Sequence, residues 1–274
     1  MQPVDPPISN AAAPVTTNSS SAMRGNTTFD LSGVDSEGFR LRGQQVTRLE
    51  TFVDAAFAFA VTLLVVSFDA MPSSFVELYD ALRRLPAFLA GFAILGLFWS
   101  AHHRFSRRFG LEDGMVVLLS MAMVAATLFY VYPLRMVMSA GMNILTGGWA
   151  PSEYAVNNFM EFRLIFVIYG VGFAVLAGLA LWLNWHALRR AETLNLDAAE
   201  RAITRTEIRN QMILMGTALL SIAIALALPE RHGWLRSLPG MAYALLGILM
   251  PWHAVRAQRR TAVLLAQRGE TALE

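Results

Sequence analysis

The sequence lacks both cysteine and lysine, and it carries few charged residues for its length of 274 residues. Without cysteine, the chain can form neither a disulfide bond nor a thiolate metal site. All 22 basic residues are arginine, and they do not form a stripe interleaved with aromatic residues, which argues against a nucleic-acid partner. Charged residues make up 15% of the chain and hydrophobic residues 55%, whereas a soluble domain carries about 25% charge. The composition therefore predicts a protein that is solvated by a lipid bilayer.

The first 40 or so residues are rich in Ser, Thr, Asn, Pro and Ala and show no apolar periodicity. Such a segment buries too little surface to offset the entropy lost on ordering, so we predict a disordered N-terminal tail over residues 1–42. It lacks the apolar core of a secretory signal peptide, and we expect it to stay attached. Residues 43–256 are predicted to form a transmembrane domain, and residues 257–274 a cytoplasmic C-terminal tail.

Six apolar blocks follow the tail, and each is close to the ~20 residues that cross ~30 Å of hydrocarbon as an α-helix. The sequence therefore predicts an all-α, polytopic membrane protein with six transmembrane helices. The blocks are residues 51–68, 85–103, 115–137, 162–186, 212–228 and 238–255.

The distribution of arginine predicts the orientation of these helices. If the N-terminus is cytoplasmic, 16 of the 22 arginines lie in cytoplasmic segments and 6 in the outside loops. Arginine accumulates on the cytoplasmic side of membrane proteins. We therefore expect both termini in the cytoplasm and a multi-pass protein of the cell (plasma) membrane.

Polar residues are concentrated at the ends of the first two blocks. Arg48, Glu50 and Asp54 lie where the first block begins, and Trp99, His102 and His103 lie where the second block ends. Both ends are predicted on the cytoplasmic side, so these side chains can meet. A charge in hydrocarbon is costly unless it is paired or hydrated, which favours such a cluster. The alternative is that Arg48 extends to the lipid headgroups and that the two histidines are simply interfacial.

An apolar stripe runs along the first predicted helix. Phe59, Leu63 and Val66 occupy positions i, i+4 and i+7, which places them within about 60° on one helical face. Thr62 lies beside them, and its hydroxyl can bond to a carbonyl one turn earlier. Asp54 projects well away from this stripe. Most apolar stripes in membrane helices face lipid or a neighbouring helix, and lining a pore is the rarer alternative.

Two motifs resemble those of the transmembrane protein 175 family of potassium channels. Residues 48–55, Arg-Leu-Glu-Thr-Phe-Val-Asp-Ala, resemble the family signature Arg-x-x-x-Phe-Ser-Asp, and residues 60–65 resemble its small-aliphatic-Thr-Leu-Leu continuation. Residues 98–105 resemble the Trp-x-x-His-His-Arg ending of the second span, and Tyr-Pro-Leu at 132–134 lies near the end of the third. The resemblance covers about residues 48–138.

The chain departs from the family pattern at two positions. Val53 stands where the signature has serine, which removes one hydroxyl from the family's polar network. Phe59 stands where members commonly have isoleucine at the narrow point of the first helix. These changes bear on conduction more than on family membership, because the other motif residues are retained.

The resemblance implies a potassium-permeable cation channel in a lipid bilayer, without enzymatic activity, cofactor or bound metal. It further implies a six-helix subunit that assembles as a homotetramer, with the first helix lining a central pore. An apolar constriction that excludes water when closed would be formed by Phe59, Leu63 and Val66, with Thr62 beside them. A polar network with a structural or gating role would be formed by Arg48, Asp54, Trp99, His102 and His103.

Three other functions are compatible with a polytopic membrane protein. A proton-coupled or other secondary transporter would need helices that break at mid-membrane and an inverted repeat, but Pro86 and Pro133 lie near span ends. A membrane enzyme would need a metal site formed by Asp54, His102, His103 and His186. Adjacent histidines project about 100° apart on a helix, and no His-Glu-x-x-His spacing occurs. A non-conducting membrane scaffold is the third alternative.

Overall fold

The computed structural model describes residues 33–65, 73–154, 158–227 and 238–271. Within these ranges the chain is helical, with one isolated β-bridge between Val34 and Arg40 and no strand. A 3₁₀ turn, Ala242–Leu245, joins the last two helices. The helices are α1 Arg48–Val65, α2 Phe75–Phe109, α3 Gly114–Leu145, α4 Phe159–Arg189, α5 Ala198–Ala227, α6 Leu238–Met241 and α7 Leu246–Thr271.

Among the described residues, five helical segments are long and apolar enough to cross a membrane, judged by their length and composition. They are α2, α3, α4, α5 and the segment Leu238–Ala266, and they contain 29 to 35 residues each. α1 is described over 18 residues and is not counted among them. Large apolar side chains are exposed on these helices, as for Phe129, which is 79% exposed. The fold is that of an all-α, polytopic membrane protein, as the apolar blocks predict.

The helices extend beyond the apolar blocks at several ends. α2 begins at Phe75 rather than at residue 85, and α3 continues to Leu145 rather than ending at 137. Hydropathy detects only the stretch that lies in hydrocarbon, whereas the helix continues through polar residues to a capping residue. At the start of α2, for example, the Ser74 hydroxyl accepts a hydrogen bond from the backbone N–H of Glu77 at 3.3 Å.

Because the helices extend beyond the apolar blocks, two prolines lie farther from the helix ends than the sequence predicts. Pro86 and Pro133, expected near helix ends, lie inside α2 and α3. Both still lie toward the ends of their apolar blocks, so neither interrupts a helix at the centre of the hydrocarbon. Residues 257–271, expected as the start of a C-terminal tail, continue α7 as a helix.

The helices pack mainly against their neighbours in sequence. α1 packs on α2 and α3, α4 lies between α3 and α5, and α5 also contacts α7. One apolar core runs through these interfaces and includes Phe57 of α1, Phe98 of α2 and Phe173 of α4. A Cβ at Gly91 of α2 would lie 2.9 Å from Leu64 Cδ2. The close approach of α1 and α2 at this point therefore requires a residue without a side chain.

Residues 33–43, which we name the N-terminal strap, pack against the helices. The Phe39 ring is fully buried and meets the Phe109 ring edge-on, with centroids 5.4 Å apart. The backbone N–H of Gly43 donates to the Arg107 carbonyl at 3.0 Å. Most of the strap was expected to belong to the disordered tail. The average composition of the tail does not reveal this packing, because a single buried phenylalanine and a few charged side chains are enough to hold the strap against the helices. Residues 1–32 lie outside the described residues.

Candidate functional site

α1 has one buried face and one exposed face within the subunit. The buried face contacts α2 and α3 through Val53, Phe57, Ala60 and Leu64. The opposite face, which we name the α1 stripe, consists of exposed residues at i, i+3, i+7 and i+10, and Phe59 at its centre is 56% exposed. The members of the α1 stripe are Phe52, Ala55, Phe59 and Thr62.

The residues expected at the constriction divide between these surfaces. Phe59 and Thr62 lie on the α1 stripe, and the Thr62 hydroxyl donates to the Ala58 carbonyl at 3.0 Å. Leu63 is partly buried and packs against the core, at the edge of the stripe. Val66 lies outside the described residues. The exposed face of α1 is therefore centred slightly nearer to Thr62 than the sequence predicts. The reason is that Phe57 and Leu64 determine which side of α1 packs against α2 and α3.

Four polar residues join α1 to α2 in an arrangement that we name the polar ladder. Trp99 Nε1 donates to Asp54 Oδ1 at 2.8 Å. The Trp99 ring stacks on the His103 ring, with centroids 5.4 Å apart, and His103 Nδ1 lies 3.3 Å from Glu50 Oε1. Each helix contributes two residues spaced i, i+4, so both pairs lie on facing sides of their helices. The ladder brings together three residues of the expected network: Asp54, Trp99 and His103.

Glu50 also belongs to the polar ladder, although the network implied by the family resemblance does not include it. Its side chain is buried, which requires a partner for the carboxylate, and His103 is within ion-pair distance. The signal in the sequence was its i, i+4 spacing from Asp54, which mirrors the spacing of Trp99 and His103. Arg48, which was expected in the network, is exposed and forms no hydrogen bond or ion pair with the residues that the structure describes.

His102 lies on a different side of α2 from the ladder. It is 2% exposed, and its Nε2 is 2.9 Å from the Ser120 hydroxyl of α3. Adjacent residues project about 100° apart on a helix, which is why His102 faces α3 while His103 faces α1. His186 is elsewhere again, bonded to Asp113 at 3.0 Å. Among the described residues, no three His, Asp or Glu side chains are grouped so that they could hold a metal ion.

The N-terminal strap carries a second set of charged contacts beside the start of α1. Arg108 of α2 is 4% exposed and lies 2.8 Å from Asp35 and 2.9 Å from Glu37, both in the strap. It also lies 3.4 Å from Glu207 of α5. A buried guanidinium is destabilising unless carboxylates surround it. These contacts therefore fasten the strap to α2 and α5.

Arg40 and Arg42 of the strap both meet Glu200 of α5, at 2.8 and 2.9 Å. The hydrogen bond to Glu200 raises the pKa of Arg40 above its usual value, against the opposing effect of burial. The strap leads within a few residues into α1, so its attachment to α5 fixes the position at which α1 begins.

Long apolar helices with exposed apolar side chains define a multi-pass α-helical membrane protein. In this protein a polar ladder joins the first two helices. The family model described as "Endosomal/lysosomal potassium channel TMEM175" matches residues 48–132, which include α1, the polar ladder and His102. A protein of Marivirga tractuosa named "Potassium channel" is 32% identical over 213 residues, which are 76% of this chain and 85% of that protein. The chain belongs to the TMEM175 family.

A solved structure supports the same relationship at the level of the fold. The crystal structure of a variant of the potassium channel MtTMEM175, in complex with a nanobody–MBP fusion protein, is similar with a TM-score of 0.69 and 28% sequence identity. The similarity covers 82% of this chain and 99% of the MtTMEM175 chain. The helices described here therefore correspond to nearly the whole of that channel subunit.

Proposed function

We propose that this protein is a potassium-permeable cation channel of the cell membrane, with both termini in the cytoplasm. Support comes from its family membership, and both the relative and the solved structure are named as potassium channels. The arginine distribution supports the orientation. The polar ladder lies at the end of α2 and the start of α1, on the side where arginine is concentrated.

The observation that carries the proposal is the uncovered α1 stripe. α1 is buried on one side by α2 and α3, and its other side is left exposed in the subunit. In the proposed homotetramer, the four stripes face a common axis and line the pore. Arg48 precedes Phe59 by about three helical turns and so lies on the same face. It has no partner among the described residues, and a neighbouring subunit can supply one at the pore mouth.

The proposed constriction is an apolar ring rather than a ring of carbonyl groups. The sequence contains no Thr-Val-Gly-Tyr-Gly loop, so ions are not selected by the backbone oxygens used in other potassium channels. Phe59, Leu63 and Val66 instead narrow the pore, with Thr62 as the neighbouring hydroxyl. When the ring is narrow it expels water, and an ion must lose its hydration shell to pass. A small rotation or widening of α1 admits water and lowers that barrier.

The polar ladder is proposed to set the rotation of α1. Rotating α1 about its axis would separate Asp54 from Trp99 and Glu50 from His103, so these contacts favour one rotational position. His102 anchors α2 to α3 through Ser120 and keeps the other side of the ladder fixed. Asp54→Asn retains an oxygen that can accept the Trp99 hydrogen bond but removes the charge. If assembly and potassium flux are both unchanged in this variant, the Asp54 charge has no gating role.

The test is potassium and sodium flux through the purified protein in liposomes. We expect potassium flux above that of empty vesicles, and a higher flux for Phe59→Ala because the ring becomes wider. Phe129→Ala is the matched control, since Phe129 is an exposed phenylalanine on α3 and not on the α1 stripe; its flux should equal that of the wild type. Equal flux for wild type, Phe59→Ala and empty vesicles would leave a non-conducting scaffold. Flux that requires a proton gradient would instead indicate a transporter.

A further inference from the structure

A groove of about 400 Å³ lies between α5 and α7, away from the α1 stripe and the polar ladder. Its volume is within the range of about 300–1,000 Å³ that is usual for ligand pockets. The residues that line it are mostly basic, small or aromatic. Those that bear on its chemistry are Arg205, Thr206 and Arg209 of α5 and Trp252, Arg256 and Thr261 of α7.

The groove carries positive charge that no described residue neutralises. None of the described residues that line it is acidic. Arg205 and Arg209 form no ion pair with the part of the chain that the structure describes, and Arg256 instead lies over the Trp252 ring at 3.6 Å from its centroid. The opposite side of α5 differs, since its carboxylates Glu200 and Glu207 are paired with arginines of the strap and of α2. The groove arginines are therefore available to an anion.

The arrangement of the arginines suits an anion with several oxygens. Arg205 and Arg209 are spaced i, i+4 on α5, so their side chains leave the helix as neighbours on one face. Arg256 approaches from α7 on the other side of the groove. Guanidinium groups donate two parallel hydrogen bonds to phosphate oxygens. Three arginines and the Thr206 and Thr261 side chains around one groove suit a phosphate group.

The level of the groove along α5 and α7 indicates that a phosphate bound there belongs to a lipid headgroup rather than to a free anion. α5 becomes predominantly apolar from Met212, three residues after Arg209, and α7 changes from apolar to basic around Trp252, so both helices leave the hydrocarbon near this level. Trp252 is 54% exposed, as is typical of tryptophan at the membrane interface. Exposed apolar side chains continue from the groove toward the membrane centre, including Met212 on α5 and Ile248 on α7. This surface can accommodate acyl chains below a bound headgroup.

We propose that the groove binds the phosphate headgroup of an anionic phospholipid, with Arg205, Arg209 and Arg256 as the phosphate ligands. On the orientation that the arginine distribution predicts, the groove faces the cytoplasmic leaflet, where basic pockets between membrane helices meet anionic headgroups. This site is separate from the proposed pore, so it can be tested whether or not the channel conducts.

The test uses the full chain in detergent and native mass spectrometry with three compounds. Dioctanoyl phosphatidylglycerol is the anionic lipid, dioctanoyl phosphatidylcholine is the zwitterionic lipid, and glycerol 1-phosphate is the anion without acyl chains. We expect retention of phosphatidylglycerol and much weaker retention of the other two. Glycerol 1-phosphate bound as tightly as phosphatidylglycerol would overturn the lipid assignment, and equal binding of the two lipids would overturn the role of charge.

Variants then test whether binding occurs in this groove. Replacement of Arg205, Arg209 or Arg256 by Gln should weaken phosphatidylglycerol binding about fivefold each, and the triple variant about a hundredfold. Arg189→Gln is the matched control for the single variants. Arg189 also stacks on a tryptophan, Trp185, at 3.7 Å, and its replacement lowers the net charge by one, as each single groove variant does. The proposal fails if the triple variant binds as tightly as Arg189→Gln. Arg256→Lys, which retains the charge, should keep more binding than Arg256→Gln.

Discussion

The two faces of α1 are built from similar residues but have different surroundings. Phe57 is 4% exposed and packs in the core, whereas Phe59, two positions later and about 200° around the helix, is 56% exposed. In water, an exposed phenylalanine of this kind would be unfavourable. In a bilayer, apolar side chains are favourable both on a face that packs against other helices and on a face that contacts lipid. Hydrophobicity therefore does not distinguish the face that builds the subunit from the face that remains for assembly. Only the packing of neighbouring helices does.

The difference between the two faces is tested most strongly by shortening a phenylalanine on each of them. Phe57→Ala should destabilise the subunit by about 3 kcal/mol, the lower end of the range for Phe-to-Ala core substitutions, because packing rather than water exclusion holds membrane helices together. Phe59→Ala should change subunit stability by less than about 0.5 kcal/mol. Thermal unfolding of both variants in detergent measures the difference. Equal destabilisation by both would mean that the two faces are equally buried.

A smaller effect is expected where α2 approaches the buried face of α1. Gly91→Ala would place a Cβ 2.9 Å from Leu64 Cδ2, and overpacking of this kind costs about 1–3 kcal/mol. Gly96→Ala is the control on the same helix, since a Cβ there meets nothing within 4 Å among the described residues; it should be neutral or slightly stabilising. The same unfolding measurement applies, and a Gly96→Ala variant as unstable as Gly91→Ala would contradict the close contact.

A smaller loss of stability than at Phe57 or Gly91 is expected for Trp99 of the polar ladder, which lies between the two faces. Trp99→Phe keeps a ring that can stack on His103 but removes the N–H that donates to Asp54. The loss should be about 1 kcal/mol, because the partly exposed Asp54 can be hydrated instead. Glu50→Ala should cost more than Trp99→Phe, since it leaves His103 Nδ1 without its carboxylate. The reverse order in chemical or thermal unfolding would remove Glu50 from the ladder.

The membrane fold could be predicted from the sequence because each span is a run of nearly uncharged, apolar residues long enough to cross the hydrocarbon as a helix. The pairing of Asp54 with Trp99 could be anticipated because their motifs lie at adjacent ends of successive spans. Helix ends could not be placed in the same way. The start of α2 depends on the cap at Ser74 and continues through charged residues that hydropathy excludes.

Features that depend on how helices are rotated against each other were not predictable. The partial burial of Leu63 follows from the packing of Phe57 and Leu64, not from its own position in an apolar run. The attachment of the strap requires Glu200 of α5, about 160 residues away in sequence. The α5–α7 groove likewise arises from two distant helices, and the arginines that line it are indistinguishable in sequence from other interfacial arginines.

Because the sequence contains no cysteine, single introduced thiols can test directly whether the α1 stripe lines a water-filled pathway. Phe59→Cys and Phe129→Cys each introduce a single thiol, and a water-soluble, positively charged methanethiosulfonate reagent is applied during potassium flux in liposomes. A thiol reacts as the thiolate, which forms only in contact with water. We predict that the reagent blocks flux through Phe59→Cys and leaves Phe129→Cys unchanged. Unaltered flux through Phe59→Cys, or equal block of both variants, would contradict the assignment of this stripe to the pore.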